Sequence, residues 1–338
     1  MTDSAAPLTS RQFVLRKRPV GLVKPDDFEL VSTPLAAPGP GEVVVRVAYI
    51  SLDPAMRGWL NDAKSYVPPV GIGEVMRAGG VGEVIASNDP SLAVGDFVFG
   101  LTGVQDHAVV AAKGLTPVDP ALAPLPRWLG ALGMPGMTAY FGLLDVGQPK
   151  AGETVVVSGA AGAVGTLVGQ LAKLQGCKVV GIAGGPEKCR YIVDELGFDG
   201  AVDYKHENTF KRLRELVPGG IDIYFDNVGG DILDIALAQL RRKARVVLCG
   251  AISQYNTTTG MQGPKNYMAL LVQRARMEGF VVFDYAARYP EARAAIAGWL
   301  ADGTLHARED IVPGLETFPD TLLRLFRGDN TGKLVLAV

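Results

Sequence analysis

Three glycines, Gly159, Gly162 and Gly165, recur at every third position of the stretch Thr154-Val-Val-Val-Ser-Gly-Ala-Ala-Gly-Ala-Val-Gly165. That spacing suits a dinucleotide site, which needs a tight bend, a side-chain-free approach to pyrophosphate and close packing of a helix on a strand. The β-branched run Val155 to Val157 predicts a buried strand, and from Val164 the apolar positions take helical spacing through Leu167-Val-Gly-Gln-Leu-Ala172. A helix that starts in such a turn offers unpaired backbone N–H groups and the positive end of its dipole. A diphosphate satisfies both.

The next strand, Lys178 to Ala183, ends in Gly184-Gly-Pro-Glu-Lys-Cys-Arg190, small residues followed by cations. An NAD site of this type carries an acidic side chain at that strand end, which takes the ribose hydroxyls and repels a 2′-phosphate. Glu187 is the one acid available, and it falls beyond the strand, in the first turn of the following helix, where the dipole favours an acid anyway. Lys188 and Arg190 offer point charges to a phosphate, and Tyr204, ending the third strand, offers a hydroxyl. NADPH is therefore the expected cofactor, in preference to NADH. Polar and small residues also stand at the carboxyl ends of the fourth and fifth strands, Asp226-Asn-Val-Gly-Gly230 and Cys249-Gly-Ala-Ile-Ser-Gln-Tyr-Asn256. Ligands of open α/β sheets bind outside those ends, so these segments are expected to meet the nicotinamide half.

The elements that hold these groups alternate. After a helix over 129–146, strands at Val155–Val157, 178–183, 201–203, 221–227 and 246–250 are interleaved with helices at 164–175, 187–196, 208–216 and 231–241, followed by a strand at 279–283 and a helix at 290–301. That order predicts a parallel sheet covered on both faces, with right-handed crossovers. Before it, residues 12–126 carry short β-type runs divided by glycine and proline, at 42–50 after the turn Pro38-Gly-Pro-Gly41, at 81–85, at 97–100 after Gly95-Asp96, and at 107–111. They predict an irregular, barrel-like β domain. Between its strands, Ser51-Leu-Asp-Pro-Ala-Met-Arg-Gly-Trp-Leu60 opens into a short helix and a long polar loop from Asn61 to Pro69 that contains Tyr66. The β-type tail 331–338 is expected back in this first domain. Domain bounds of 1–127 completed by 303–338, and 128–302, follow.

The totals agree with a two-domain globular protein. The chain has 338 residues, 48% of them apolar and 20% charged, and its 33 basic and 35 acidic residues leave a formal charge of −2. No block of like charge suggests a nucleic-acid or membrane partner. Residues 1–11 lack the basic end and apolar core of a secretory signal and read as a frayed lead-in. Cys177, Cys189 and Cys249 are too scattered for a disulfide framework or a thiolate zinc lobe and suit a reducing cytoplasm. His107, His206 and His306 are equally dispersed, so no metal site is expected. Met56, Arg57, Met134 and Met137 border either the substrate or the core.

In combination, Ser51-Leu-Asp-Pro-Ala-Met-Arg57, Met134-Pro-Gly-Met-Thr-Ala-Tyr140, Ala160-Ala-Gly-Ala-Val-Gly165, Phe225-Asp-Asn-Val-Gly-Gly230, Cys249 to Asn256 and Asn330-Thr-Gly-Lys333 resemble the zinc-independent branch of the medium-chain dehydrogenase/reductase superfamily. This branch includes prostaglandin reductases, leukotriene B4 12-hydroxydehydrogenases and NADP-dependent alkenal or curcumin double-bond reductases. The resemblance runs from about residue 30 to the end and implies an α/β fold, a Rossmann doubly wound parallel sheet plus a GroES-like irregular β-barrel domain, with a cofactor cleft between them. It implies that Gly162, Ala163, Val164 and Gly165 line NADPH, with Lys188, Tyr204, Asn227 and Asn330. It adds the loop residues Cys249, Gly250, Ala251, Ile252, Ser253, Gln254 and Tyr255, and Phe280, Val281 and Val282. Zinc members carry cysteine where Ser51 stands and a histidine near Gly79–Val84, where this chain has none, which implies no catalytic zinc. The branch commonly has tyrosine at the position of Ala55, so a roomier or differently shaped substrate end is expected.

The same resemblance implies metal-free hydride delivery to the β-carbon of a carbonyl-conjugated C=C bond. The negative charge that develops on the carbonyl oxygen would be met by neutral hydroxyl donors, Tyr66 and Tyr255, as catalytic residues. A homodimer joined through the edge strand near 279–283 is a further implication. Two other readings stand beside this one: a quinone reductase of the same superfamily, and a non-catalytic NADPH-binding protein. A short-chain dehydrogenase is disfavoured, because its glycine motif would lie near the N-terminus and be followed by a Tyr-x-x-x-Lys pair.

Overall fold

A computed structural model describes residues 8–338, so the lead-in expected at 1–11 lies, through residue 7, outside the described residues. In chain order the strands are β1 (Thr9–Leu15), β2 (Phe28–Pro34), β3 (Glu42–Ser51), β4 (Gly79–Ser87), β5 (Phe97–Leu101), β6 (His107–Ala111), β7 (Thr116–Val118), β8 (Thr154–Ser158), β9 (Lys178–Ala183), β10 (Gly200–Asp203), β11 (Ile221–Asp226), β12 (Leu240–Leu248), β13 (Arg276–Gly279), β14 (Glu309–Pro313) and β15 (Lys333–Ala337). The α-helices are α1 (Ala55–Trp59), α2 (Met134–Phe141), α3 (Ala163–Leu174), α4 (Pro186–Arg190), α5 (Thr209–Leu216), α6 (Gly230–Leu237), α7 (Met268–Gln273), α8 (Tyr289–Ala301) and α9 (Phe318–Arg327). The chain divides into two compact units. One runs to Leu129 and takes in Glu309–Asp329 and Leu334–Val338; the other holds Gly130–Arg308 and Asn330–Lys333.

In the first unit, a 7-stranded sheet has the order β14-β15-β3-β4-β5-β7, with β6 also paired to β3 and β1-β2 as a separate ribbon. Its core forms around Phe318 of α9, whose ring meets Phe13 at 5.2 Å and Phe28 at 5.1 Å. Met56 and Arg57 are both buried. Burial pushes the Arg57 guanidinium below its ordinary pKa, and it donates to the carbonyls of Gly21 (3.0 Å) and Pro19 (3.3 Å) and to Asn61 Oδ1 (2.7 Å). Both side chains therefore serve the core rather than a substrate. Met137 is likewise buried, in the second unit.

The second unit is built on a 6-stranded parallel sheet of order β10-β9-β8-β11-β12-β13. The central strands are apolar on both faces, since Val155, Val156, Val157, Ile223, Tyr224 and Phe225 are all fully buried. Strand order reverses between β8 and β11, which opens a crevice at their carboxyl ends. Gly165 is required there: a Cβ on it would stand 2.3 Å from the carbonyl oxygen of Gly159 and 2.8 Å from Cα of Ala160, so only glycine lets α3 settle against the end of β8.

Several expected elements differ. The helix over 129–146 is divided into a 3-10 turn (Leu125–Leu129), α2 and a π turn (Gly142–Gly147). The helix expected over 231–241 stops at Leu237, and Leu240–Leu248 is strand, with Arg241, Arg242 and Lys243 exposed near its start. Arg241 there pairs with Asp222 at 2.9 Å, and Lys243 takes φ +67°. The strand expected at 279–283 lies instead at Arg276–Gly279. Phe280, first of the apolar run, packs its ring edge-on against Phe225 at 6.5 Å, and Val282–Arg288 coils into a 3-10 turn. The polar sequence before it can form an edge strand because such a strand needs no apolar pair of faces. Helix α7 was not anticipated.

Candidate active site

The turn after β8 places Gly159 at φ +59°, and a Cβ there would contact Cβ of Asn227 at 3.4 Å, so the turns after β8 and β11 meet side by side. Gly162 is the N-cap of α3, and no side chain caps that end. The first turn, Gly162 to Val164, is only partly buried. A bare helix N-terminus behind a glycine bend is a cradle for pyrophosphate. The strip 330–333 closes beside it: the Gly332 amide donates to the Ala161 carbonyl at 2.8 Å, and buried Asn330 donates through Nδ2 to the Gly332 carbonyl at 3.0 Å.

Asp226, the last residue of β11, organises the next turn. Its Oδ1 accepts from Ser158 Oγ (2.9 Å), the Tyr224 hydroxyl (3.0 Å), and the amides of Val228 (3.1 Å) and Gly229 (3.0 Å). Its Oδ2 is buried without a hydrogen-bond partner. Burial pushes this carboxyl above its ordinary pKa, against the hydrogen bonds that favour ionisation. Ser158 Oγ in turn accepts from the Asn227 amide (2.9 Å), and Asn227 Nδ2 donates to the Ser158 carbonyl (2.7 Å). The loop after β12 is stitched to the same turn. The amides of Cys249 and Gly250 donate to the Asp226 carbonyl (2.9 and 3.1 Å), that of Ile252 to Asn227 (3.2 Å) and that of Ser253 to Val228 (3.2 Å).

Tyr255 ends this loop and folds back over it. Its hydroxyl oxygen accepts the Ala251 amide at 3.1 Å, and a Cβ on Gly250 would stand 2.9 Å from that oxygen. Burial pushes the Cys249 thiol up to about 12, so it stays protonated and inert as a nucleophile. Phe280 to Val282 follow β13, whose Gly279 pairs with Leu248 of β12, so they too begin at a strand's carboxyl end.

At the other side of the sheet, β9 and β10 end together, with Ala183 opposite Asp203. Lys188, on α4, is half-buried, and Glu187 beside it is exposed. A Cβ on Gly184 would lie 2.9 Å from the Tyr204 ring, so Tyr204 covers the end of β9. The acid that does stand here is Asp203, but its oxygens are taken by the amides of Gly185 and Lys205 and by His206. No ribose acid remains at the strand end, and cationic and hydroxyl groups do. The donor set fits NADPH: the glycine turn and α3 would hold the pyrophosphate, Lys188 and Tyr204 the 2′-phosphate, and the loops after β11 and β12 the nicotinamide half.

Tyr66 belongs to the first unit. It is exposed, on the loop whose two ends Arg18 fastens by donating to the carbonyls of Leu60 (2.8 Å) and Val70 (2.9 Å). Ser51, the residue that replaces a zinc ligand in the resemblance, is buried and donates through Oγ to Asp53. Among the described residues, no cluster of three His, Cys, Asp or Glu side chains is placed to hold a metal ion. Among the described residues, no helix is long and apolar enough to cross a membrane. Reading the sequence missed the hydrogen-bonding roles of Ser158, Asp203 and Asp226; the available signal was a polar side chain ending an otherwise apolar strand.

Two family models match: an "N-terminal domain of oxidoreductase" over residues 11–118 and a "zinc-binding dehydrogenase" over residues 163–298. The chain is 44% identical over 335 residues to the NADPH-dependent curcumin reductase of Escherichia coli, covering 97% of each chain. It is 41% identical over 340 residues to the NADP-dependent 2-alkenal reductase of Nicotiana tabacum, covering 99% of each. Among solved structures, CurA from Vibrio vulnificus in complex with NADPH superposes with a TM-score of 0.92 at 47% identity, over 97% of this chain and 99% of that one. This chain is an NADP-dependent oxidoreductase and belongs to the zinc-independent branch of the medium-chain dehydrogenase/reductase superfamily that holds the prostaglandin, curcumin and 2-alkenal reductases.

Proposed function

We propose that this enzyme reduces the C=C bond of α,β-unsaturated aldehydes and ketones, and that Tyr255 and Tyr66 are its catalytic residues. Bound NADPH supplies a hydride to the β-carbon. The protein's task is then to receive the charge that collects on the carbonyl oxygen as the enolate forms. The observation that carries the reading is the Tyr255 hydroxyl, whose oxygen accepts the Ala251 amide at 3.1 Å on the loop tied to the turn after β11. A phenol keeps its proton at neutral pH, and an oxygen that accepts from an amide donates its own proton more strongly. Tyr66 is the second donor, brought by the loop that Arg18 anchors. Solvent or a relayed hydroxyl protonates the α-carbon.

The names of the curcumin and 2-alkenal reductases among its relatives support this substrate class, and Ser51 in place of a zinc ligand supports chemistry without a metal. The exposed edge strand β13, with Tyr267, Met268, Leu271 and Val272 exposed on and beside α7, supports a homodimer; a monomeric mass in solution would refute that part. The three unpaired thiols suit a reducing cytoplasm.

The test is an NADPH-oxidation screen over 2-alkenals, enones, quinones and saturated aldehydes, with NADH in parallel. Turnover of alkenals and enones, with identification of the saturated carbonyl product, is expected. Preferential turnover of quinones would replace the proposal with quinone reduction. Activity on saturated aldehydes alone would overturn the double-bond assignment, and binding without turnover on the whole panel would remove the enzyme's assigned reaction.

A further inference from the structure

Gly184, the first residue beyond β9, is covered by two side chains. A Cβ placed on it would stand 2.9 Å from the Tyr204 ring and 3.0 Å from Cε of Lys205, so the lysine's methylenes lie across the same bare backbone as the tyrosine. Lys205 is exposed and makes no ion pair with any described residue. Its backbone is held all the same. Asp203 Oδ1 accepts the Gly185 amide at 2.8 Å and the Lys205 amide at 3.0 Å, which clamps the turn after β9 to the turn after β10. Asp203 Oδ2 meets His206 Nδ1 at 2.8 Å, and the Asp203 amide donates to Glu207 Oε2 at 2.7 Å. The acid that ends β10 is thereby spent on the backbone, and the ammonium beside it is left to find an anion.

We propose that Lys205 is a specificity-determining residue, which with Lys188 and Tyr204 selects the cofactor carrying a 2′-phosphate, and that Asp203 is the positioning residue that sets it there. A lysine is a point charge on a flexible stem, so it gains precision from a fixed backbone and from a surface to lie on. The Asp203 clamp supplies the first and Gly184 the second. The inference rests on NADPH being the cofactor and is independent of the substrate.

Calorimetry with adenosine 2′,5′-bisphosphate and with AMP separates the phosphate from the rest of the cofactor. Wild-type protein is expected to bind the bisphosphate more tightly. Lys205→Met, an exposed change, is expected to weaken bisphosphate binding about tenfold, the size of one charge-assisted hydrogen bond, and to leave AMP binding unchanged. In turnover the same variant should raise KM for NADPH by a similar factor at constant kcat, with KM for NADH unmoved. Asp203→Ala should lose part of the same selectivity, and Asp203→Asn, which keeps an acceptor for both amides, should restore it. Equal affinity of wild type and Lys205→Met for the bisphosphate would overturn the proposal while leaving the cofactor assignment intact. A wild-type protein with no preference for the bisphosphate would overturn both.

Discussion

Asp203 and Asp226 each end a parallel strand, β10 and β11, and each gathers backbone amides from the turns around it, yet they work in opposite electrostatic regimes. Burial opposes ionisation of Asp203, but the Gly185 amide, His206 and the Lys205 amide outweigh it and hold the carboxyl below its ordinary pKa. Asp226 has no charged partner, one oxygen loaded with four donors and the other with none, and its pKa is raised. At one end of the sheet the surroundings thus favour the charge on Asp203, beside the exposed Lys205. At the other, burial opposes the charge on Asp226, and a hydroxyl donor has its greatest effect on a developing oxyanion in such buried surroundings.

The largest effect is expected from deleting the buried partner. Asp226→Ala strands Ser158 Oγ, the Tyr224 hydroxyl and the amides of Val228 and Gly229, and should cost about 3–5 kcal/mol of unfolding free energy. Urea denaturation of the purified protein measures it. A loss under about 1 kcal/mol would mean that water replaces the carboxylate and that the site is not dry. Next comes Tyr255→Phe, which should lower kcat by the equivalent of about 2.7–4 kcal/mol of barrier if its hydroxyl meets the oxyanion. Were its bond to Ala251 only a loop fastening, NADPH affinity would fall and kcat would hold. Tyr66→Phe distinguishes a second donor from an aromatic that merely closes the pocket. Unchanged turnover would remove Tyr66 from the mechanism.

Much of this arrangement is local and so was legible in the chain. Val155–Val157, the Gly159/Gly162/Gly165 spacing and the helical period from Val164 belong to one continuous stretch, and β9 and β6 fall at the residues expected of them. The strand ends followed from the order of elements. What could not be read were the contacts that join distant stretches. Ser158 reaches Asp226 across 68 positions, and nothing near either residue announces the other. The strand at 276–279 was misplaced because Phe280-Val281-Val282 has a β-type composition, and only the packing of Phe280 on Phe225 shows why its chain turns out of the sheet. No residue near Lys205 in the chain marks it either; its contacts with Gly184 and the Asp203 carboxylate arise only in the folded chain.

The smallest expected effect contrasts the two aspartates directly, through pH. Asp203 has a folded pKa below the unfolded value of about 3.9. Its contribution to stability is therefore whole above that value and is lost as pH falls through the folded pKa. For Asp226 the folded pKa is the higher one, so its contribution is whole below the unfolded value and is lost as pH rises through the folded one. Thermal melts of Asp203→Asn and Asp226→Asn between about pH 2 and pH 7 should then diverge from wild type with opposite slopes, Asp203→Asn below the unfolded value and Asp226→Asn above it, each by about 1–3 °C in Tm. Asp203→Asn should fall behind wild type as pH rises from about 2 through the unfolded value and stay behind at a constant gap above it, since the ionised aspartate is what it lacks. Asp226→Asn should gain on wild type over the same range, because it is spared the burial of a charge. Parallel curves for the two variants would show that both carboxyls sit in equivalent surroundings, and the division of the sheet into an end that favours the charge and an end that opposes it would fall with them.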